Sequence, residues 1–343
     1  MKTLKNFAAL GGVAAIASLL AFQPTQARAA DPNYAGKTIR FVVGFGAGGG
    51  YDTYARMLAP EFEKILGATV LVENVPGAGG MVALNKFNVA PGNGLTMTII
   101  NGTGASLQQL LELKGARFDL TKFNILGTVD YSTWQFLVAP NSPYNTLADV
   151  MKARKTFHWG GSGKVSGMSD GGAMTCHALG LDCKIVTGYK GSRAAALAVA
   201  KGEMDAMYVS ETSAYNYVKG KNAKAIATMN RKRSDLFPDL PTAFEQVPNL
   251  TREQQWWIDY RATIESLGRI LAMPPSTPDS LLKAVRDATH RILTDKKFVD
   301  AANAKRRYIK YIDAAQTAKN IATVLKSLSP QQVAQMKKVI LGN

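Results

Sequence analysis

The chain has 343 residues, 41 of them Lys or Arg and 25 Asp or Glu, for a formal net charge of +16. That length can bury the cores of one large domain or two lobes, and the basic balance suits an anionic ligand or surface. Three histidines and two cysteines are poor material for a structural metal site, and no basic run is interleaved with aromatics in the manner of a nucleic-acid binder.

The chain opens on MKTLKNF, with Lys2 and Lys5, and continues into an apolar stretch from Ala8 to Phe22. Small residues in "TQARAAD" close it. A basic start, a short apolar run and an A-x-A site make an export signal, and the Ala/Gly-rich run is short for a membrane span. Cleavage after Ala29 is the expectation, with Ala27 the alternative. The mature chain would keep 314 residues and a charge of +13 after losing Lys2, Lys5 and Arg28. Its compartment would be the periplasm, where nucleotide cofactors are scarce.

From residue 37 a strand, a glycine loop and a helix recur. "TIRFVVGF" leads through Gly46–Gly50 into a helix with Ala55, Leu58, Phe62 and Ile65 on one face, which Pro60 should kink or break. "ATVLVENV" precedes "PGAGG" (Pro76–Gly80) and a helix, and "LTMTIING" precedes another. Three such units predict a parallel sheet with its loops along one carboxyl edge, where ligands of open α/β sheets bind. A second series follows "NILGTVDYSTWQFLVAPNSP". It comprises a helix near 146–155, the strand "TFHW", the loop "GGSGKVSG", a helix through Ala178, and the strands "CKIVTGY" and "DAMYVS" with a helix between. After a short helix at 213–218, "KAIATM" reads as a strand leading back to the first series. "RILAM" adds a strand before a mostly helical end. The expected architecture is a two-lobed α/β clamshell, each lobe a mainly parallel sheet flanked by helices. Residues 30–130 and 228–343 would form lobe I, and residues 131–227 lobe II, after a leader at 1–29.

Cys176 and Cys183 fall at the end of one predicted helix and the start of the next strand. In an oxidising compartment such an isolated pair points to a disulfide.

Gly44, Gly46 and Gly49 fit G-x-G-x-x-G, and Glu73 stands at the end of the next strand, as in a dinucleotide site. Export argues against that reading. "GGSGK" carries Lys164 where a nucleophile elbow needs glycine, and Val165 where a Walker loop needs Ser or Thr. No acid forms a recognisable pair with a histidine, so no catalytic residue, metal or cofactor is assigned. What remains is anion binding by backbone N–H groups at helix N-termini. The density of glycines at 46–50 exceeds what a turn needs; at 102–104 a tight turn is sufficient explanation. Asp52, at a helix start, reads most simply as a cap.

The stretch "IRFVVGFGAGGGYDTYARMLAPEFEKILGATVLVENVPGAGG" resembles the opening signature of the substrate-binding receptors of tripartite tricarboxylate transporters, the Bug family. "GSG" at 161–163, "GYKGS" at 188–192, "KGEMDAMY" at 201–208, "FPDLPTAFE" at 237–245 and "AMPPSTP" at 272–278 extend the match over nearly the whole mature chain. The resemblance implies a periplasmic binding protein of the type II clamshell kind. Such a protein, a monomer and not an enzyme, captures an organic carboxylate and delivers it to the permease subunits in the membrane. An exported α/β hydrolase or transferase, or a ligand-binding partner of a signalling receptor, are the alternatives. By position, the ligand-binding candidates are Phe45, Gly46, Ala47, Gly48, Gly49, Gly50, Tyr51 and Asp52 in the first loop and Gly79 in the second. Trp134, Ser162, Gly163, Ser166 and Tyr208 complete the set from the opposite lobe.

The chain departs from the family pattern in four places. Tyr51 replaces a Thr or Ser, and "GMSDGGAMTCH" lacks the usual "H-L-A-G" helix start. Val209 stands where an acid usually follows, and residues 249–267 replace a shorter "W-x-G-L" segment. Without an acid at 209, a ligand ammonium would find no counter-charge. Tyr51, Trp134, Trp159 and Tyr208 would border the cleft, so an aromatic or longer apolar carboxylate is expected to outbind aspartate, glutamate or citrate.

Overall fold

The computed structural model describes residues 33–342; the expected leader and cleavage site lie outside them. The first series runs β1 (Thr38–Val43), α1 (Gly50–Leu66), β2 (Thr69–Asn74), α2 (Met81–Asn88), β3 (Thr96–Asn101), α3 (Gly102–Leu110) and β4 (Asn124–Asp130). The second runs β5 (Trp134–Val138), α4 (Leu147–Lys152), β6 (Phe157–Gly160), α5 (Met168–Leu179), β7 (Cys183–Val186), α6 (Ser192–Ala200), β8 (Ala206–Ser210), α7 (Glu211–Lys219) and β9 (Lys224–Thr228). The chain then forms α8 (Ala243–Gln246), α9 (Arg252–Glu265) and β10 (Arg269–Met273). It closes with α10 (Asp279–Thr294), α11 (Lys296–Ala304), α12 (Ala314–Leu325) and α13 (Pro330–Leu341).

Two five-stranded sheets result, in the orders β2-β1-β3-β10-β4 and β7-β6-β8-β5-β9. They share one plan. Strands β1, β2 and β3 are mutually parallel, β10 is antiparallel to both its neighbours, and β4 therefore points with the first three. In the second sheet β5 is the reversed strand between β8 and β9. Both reversed strands enter from the other half of the molecule, β5 directly after β4 and β10 directly after α9. The common plan has no counterpart in the sequence as a repeat, because it resides in strand order and not in residue identity. The segment "NILGTVDYSTWQFLV", to which the sequence reading gave no element, holds β4 and β5.

Helix α1 buries Tyr54, Ala55, Leu58, Ala59 and Phe62 and runs unbroken through Pro60. Pro60 is exposed, as is Arg56, whose carbonyl the missing N–H leaves to water, so the expected break does not occur. Residues 229–250 still pack on the second layer. Thr228 N–H donates to Pro241 O, Leu147 N–H donates to Gln246 Oε1, and Gln246 Nε2 donates to Ile226 O. The return to the first sheet, read from the sequence near 228, comes only at β10. Helix α9 lies between, against both α5 and α3, and Thr103 Oγ1 donates to Ile264 O. The expected bridge is present: Cys176 of α5 is bonded to Cys183, the first residue of β7, with Cα atoms 6.3 Å apart.

Candidate ligand-binding cleft

The carboxyl ends of β1, β2 and β3 face loops from the second layer, and main-chain hydrogen bonds close the gap. Gly46 N–H donates to Lys190 O over 2.7 Å, and Gly79 N–H to Ser162 O over 3.0 Å. Side chains add to them: Gln108 Nε2 donates to Val165 O (2.8 Å) and Asn101 Nδ2 to Ser166 O (3.1 Å). Enclosed between the layers is a cavity of about 40 Å³.

The first glycine loop divides its work. Gly48 N–H donates to Asp52 Oδ2 (2.8 Å), which also accepts from Arg56 Nε, while Asp52 Oδ1 accepts from Asn74 Nδ2. Burial pushes the Asp52 carboxyl up, but these donors together hold it below its ordinary value. Asp52 therefore shapes the loop, and it is not on the cavity wall. The amides of Gly46, Gly48 and Gly79, expected to hold the ligand, are committed within the protein. Gly49 and Gly50, at the start of α1, do line the cavity. The first turn of a helix has no intrahelical acceptors for its N–H groups, so this end of α1 can offer amides to an anion.

Of the other candidates, Phe45, Tyr51, Trp134 and Ser166 lie on the wall. Ala47 is exposed; Ser162 and Gly163 abut the second loop, and a Cβ on Gly163 would overlap the Gly79 amide. Tyr208 stands behind Trp134, stacked on it at 5.4 Å between ring centres. Trp159 is fully buried against Phe136 in the core of the second layer, so it does not border the cleft. Tyr51 stacks on Phe45 at 4.7 Å, and burial raises its hydroxyl pKa well above the ordinary value, so it stays neutral. Glu73, the acid of a would-be dinucleotide site, is half-buried and paired with Arg40 at 2.7 Å.

Two buried arginines, absent from the sequence reading, dominate the electrostatics. Arg269 opens β10, lines the cavity, and lies 5.1 Å from the centre of the Tyr51 ring. Its Nη1 donates to Asp130 Oδ2 (2.5 Å) and its Nη2 to Ser210 Oγ (3.1 Å), while Nε has no protein partner. Arg261 of α9 donates to Asp170 Oδ1 (2.5 Å), Glu265 Oε1 (2.9 Å) and Gly167 O (2.8 Å). One guanidinium thus serves two acids. Asp170 is also held by the N–H groups of Ser166 and Gly167. Glu265 receives Tyr208 Oη at 2.6 Å on Oε1, but Oε2 is buried without a partner. Burial raises the Glu265 pKa to about 8, against the opposing pull of Arg261. The shift favours the neutral carboxyl, and the residue lines the cavity.

Val209 is on the wall, and an acid reaches the cleft from a different element, the helix inside the divergent 249–267 segment, but burial favours its neutral form, so it supplies no full counter-charge for a ligand ammonium. An i,i+4 Arg–Glu pair there, and an arginine beginning an otherwise apolar strand, were the available signals. Arg269, the serines at 210 and 213, the α1 amides and a protonated Glu265 make the wall rich in donors. Such a wall fits an acceptor-rich anion. Among the described residues no cluster of His, Cys, Asp and Glu could hold a metal ion, and no helix is long and apolar enough to cross a membrane.

A sequence profile of the tripartite tricarboxylate transporter family receptors matches residues 54–331. The chain belongs to this family. A relative in Bordetella pertussis, a UPF0065 protein, is 27% identical over 305 residues, covering 87% of this chain and 88% of its own. A UPF0065 protein of Cupriavidus necator is 28% identical over 250 residues, covering 70% and 74%. Among solved structures, the periplasmic binding protein BugD superposes with a TM-score of 0.74 at 24% identity, over 89% of this chain and 98% of its own. MatC of Rhodopseudomonas palustris, solved with malate, gives 0.70 at 20% identity over 89% and 99%. A further R. palustris protein, solved with adipate, gives 0.73 at 16% identity over 89% and 97%. These likenesses establish the two-lobed periplasmic binding protein fold.

Proposed function

We propose that this family receptor is a periplasmic solute-binding protein that closes on an organic carboxylate and delivers it to the permease of a tripartite tricarboxylate-type transporter, without catalysing a reaction. The observation that carries the reading is the meeting of Arg269 with the N-terminus of α1 on one cavity wall. A ligand carboxylate set there would accept from the Gly49–Tyr51 amides and from the Arg269 guanidinium, whose Nε is free. Buried, charge-assisted donors of this kind bind carboxylates strongly. Malate and adipate in the two R. palustris relatives support the ligand class.

The ligands of the two R. palustris proteins refine it. The cavity of about 40 Å³ is smaller than any of these acids, so the layers must part to admit one and its volume does not choose among them. With malate and adipate as the precedents, we favour a short aliphatic acid over the aromatic acid expected from the placement of Tyr51, Trp134, Trp159 and Tyr208. Calorimetric titration of the mature protein with malate, adipate, citrate and benzoate tests both points. Saturable binding of a short aliphatic acid, without its turnover, is the expected result. Silence across all carboxylates, or hydrolysis of an added ester, would overturn the assignment.

A further inference from the structure

A second cavity, of about 280 Å³, lies beside the first and shares Gly50 and Ser213 with it. Its walls come from both halves of the molecule. Arg193 of α6, which packs on the second sheet, is on one side. On the other is Arg307, in the segment tied to the first layer by Tyr54 Oη donating to Tyr308 O and Lys310 N–H to Val129 O. Thr53, Asn216 and Tyr217 supply neutral hydrogen-bonding groups, and no acid is among the lining residues.

Among the described residues, neither arginine has a carboxylate within ion-pair distance, although the surface arginines at 40, 231 and 233 do. Arg307 is half-buried. Burial lowers its pKa, and the nearby Arg269 guanidinium adds repulsion. Arg193 lies across Gly48, where a Cβ would overlap its guanidinium. Arginine does not escape such a setting by deprotonating, so an oxyanion is the complement that two guanidiniums lining one cavity can accept.

We infer that this second cavity binds a small oxyanion, the phosphate or carboxylate group of a low-molecular-mass solute, held between Arg193 and Arg307. An anion held from both sides would also tie the two layers together in the closed arrangement. The site is distinct from the carboxylate cleft, and neither arginine lines that cleft.

Thermal unfolding of the mature protein in inorganic phosphate, and separately in malonate, each against chloride at matched ionic strength, tests this. Wild type should show a saturable rise in Tm with phosphate. Affinity should fall on the order of tenfold or more in Arg193→Gln and Arg307→Gln, and less in Arg307→Lys, which keeps the charge but not the planar fork. Arg252→Gln, removing an exposed charge on α9, should leave the response intact. A malonate response that disappears in the double glutamine variant adds carboxylates to the ligands of this site. One that persists there while phosphate is silent in wild type would place the anion in the cleft and overturn the proposal. Equal losses in Arg252→Gln and Arg307→Gln would reduce the effect to bulk charge screening. Should a glutamine variant fail to fold, phosphate titration of wild type by calorimetry decides: no saturable heat would refute the site.

Discussion

Tyr208 and Glu265, from the second sheet and from the helix bridging the two layers, share a 2.6 Å hydrogen bond beside the ligand cavity. The carboxyl that accepts it competes with Asp170 for the single guanidinium of Arg261. Asp170 has two further amide donors and Glu265 has none. Burial therefore pushes the Glu265 carboxyl towards its neutral form.

A pH dependence of stability follows. The Glu265 pKa is raised from 4.5 to about 8 in the folded state, so folding takes up a proton between those values. The contribution is fully present below pH 4.5 and is lost as pH rises through about 8. At 1.36 kcal/mol per pKa unit the linked change is on the order of a few kcal/mol. Glu265→Gln keeps the shape but cannot ionise, so its unfolding free energy should be flatter than wild type between pH 5 and 8.5. Parallel urea-denaturation curves for the two proteins across that range would contradict the protonated carboxyl.

Arg269 and Asp130 are both nearly inaccessible, and removing one strands the other. Arg269→Met should destabilise by about 3–5 kcal/mol, the usual outcome when a buried partner is left alone. Combining it with Asp130→Asn should recover much of that loss, because no full charge remains buried. Ligand binding should not recover in the double variant, since the guanidinium proposed to face the carboxylate is gone. Denaturation and calorimetry on all three variants separate the two roles. Restored binding in the double variant would remove Arg269 from the site.

The loops and helices that build the cleft were legible because glycines and hydrophobic periodicity are local signals. Gly49, Gly50 and Tyr51 could be placed at a helix start above a sheet edge from residue order alone. The charged groups could not. Arg269 is matched to Asp130 across 139 positions, and Arg261 to Asp170 across 91. Such pairings exist only once the strand order does. Strand β10 was legible in "RILAM" but β5 was not, and the reversal of both was hidden for a related reason: each enters its sheet from the other half of the molecule. Which amides are spent internally was equally hidden, because the acceptors at Lys190 and Ser162 lie in the opposite layer.

Gly50→Ala is the least disruptive way to fill the cavity. A Cβ there would stand 2.8 Å from Arg269 Nη2 and 2.9 Å from Ser213 Oγ, atoms of two residues that line the cavity. Tm should change little, while affinity for the best carboxylate should drop on the order of tenfold, about 1.4 kcal/mol. Gly48 is a poorer probe. Its φ of +76° and its contact with Arg193 mean that a side chain would strain the loop itself. Unchanged affinity in Gly50→Ala would place the ligand elsewhere.

The Cys176–Cys183 bridge closes a short loop between α5 and β7, and on the chain-entropy model a loop of this size contributes about 2–3 kcal/mol. Cys176→Ala/Cys183→Ala should unfold at lower denaturant concentration by that amount while binding ligand normally, because neither residue borders the cavity. Two free thiols in the denatured, unreduced mature protein would show that the bridge does not form.

Closure itself can be tested at Gly163. This residue meets the backbone of Ala78 and Gly79 from the opposite layer so closely that an added Cβ would overlap the Gly79 amide. Its φ lies outside the left-handed range, so alanine brings no backbone strain of its own. The obstacle is rigid main chain, and it can be relieved only by moving the layers apart. That movement would break the Gly79–Ser162 hydrogen bond at once and weaken the Gly46–Lys190 contact. Gly163→Ala should therefore fold with wild-type secondary structure but remain open. Its radius of gyration by small-angle scattering should stay at the open value when carboxylate is added, and affinity should fall because the donors of the second layer no longer reach the ligand. The wild type should contract under the same addition. If Gly163→Ala contracts as wild type does and binds equally well, the two layers do not meet through these glycines when the receptor is loaded.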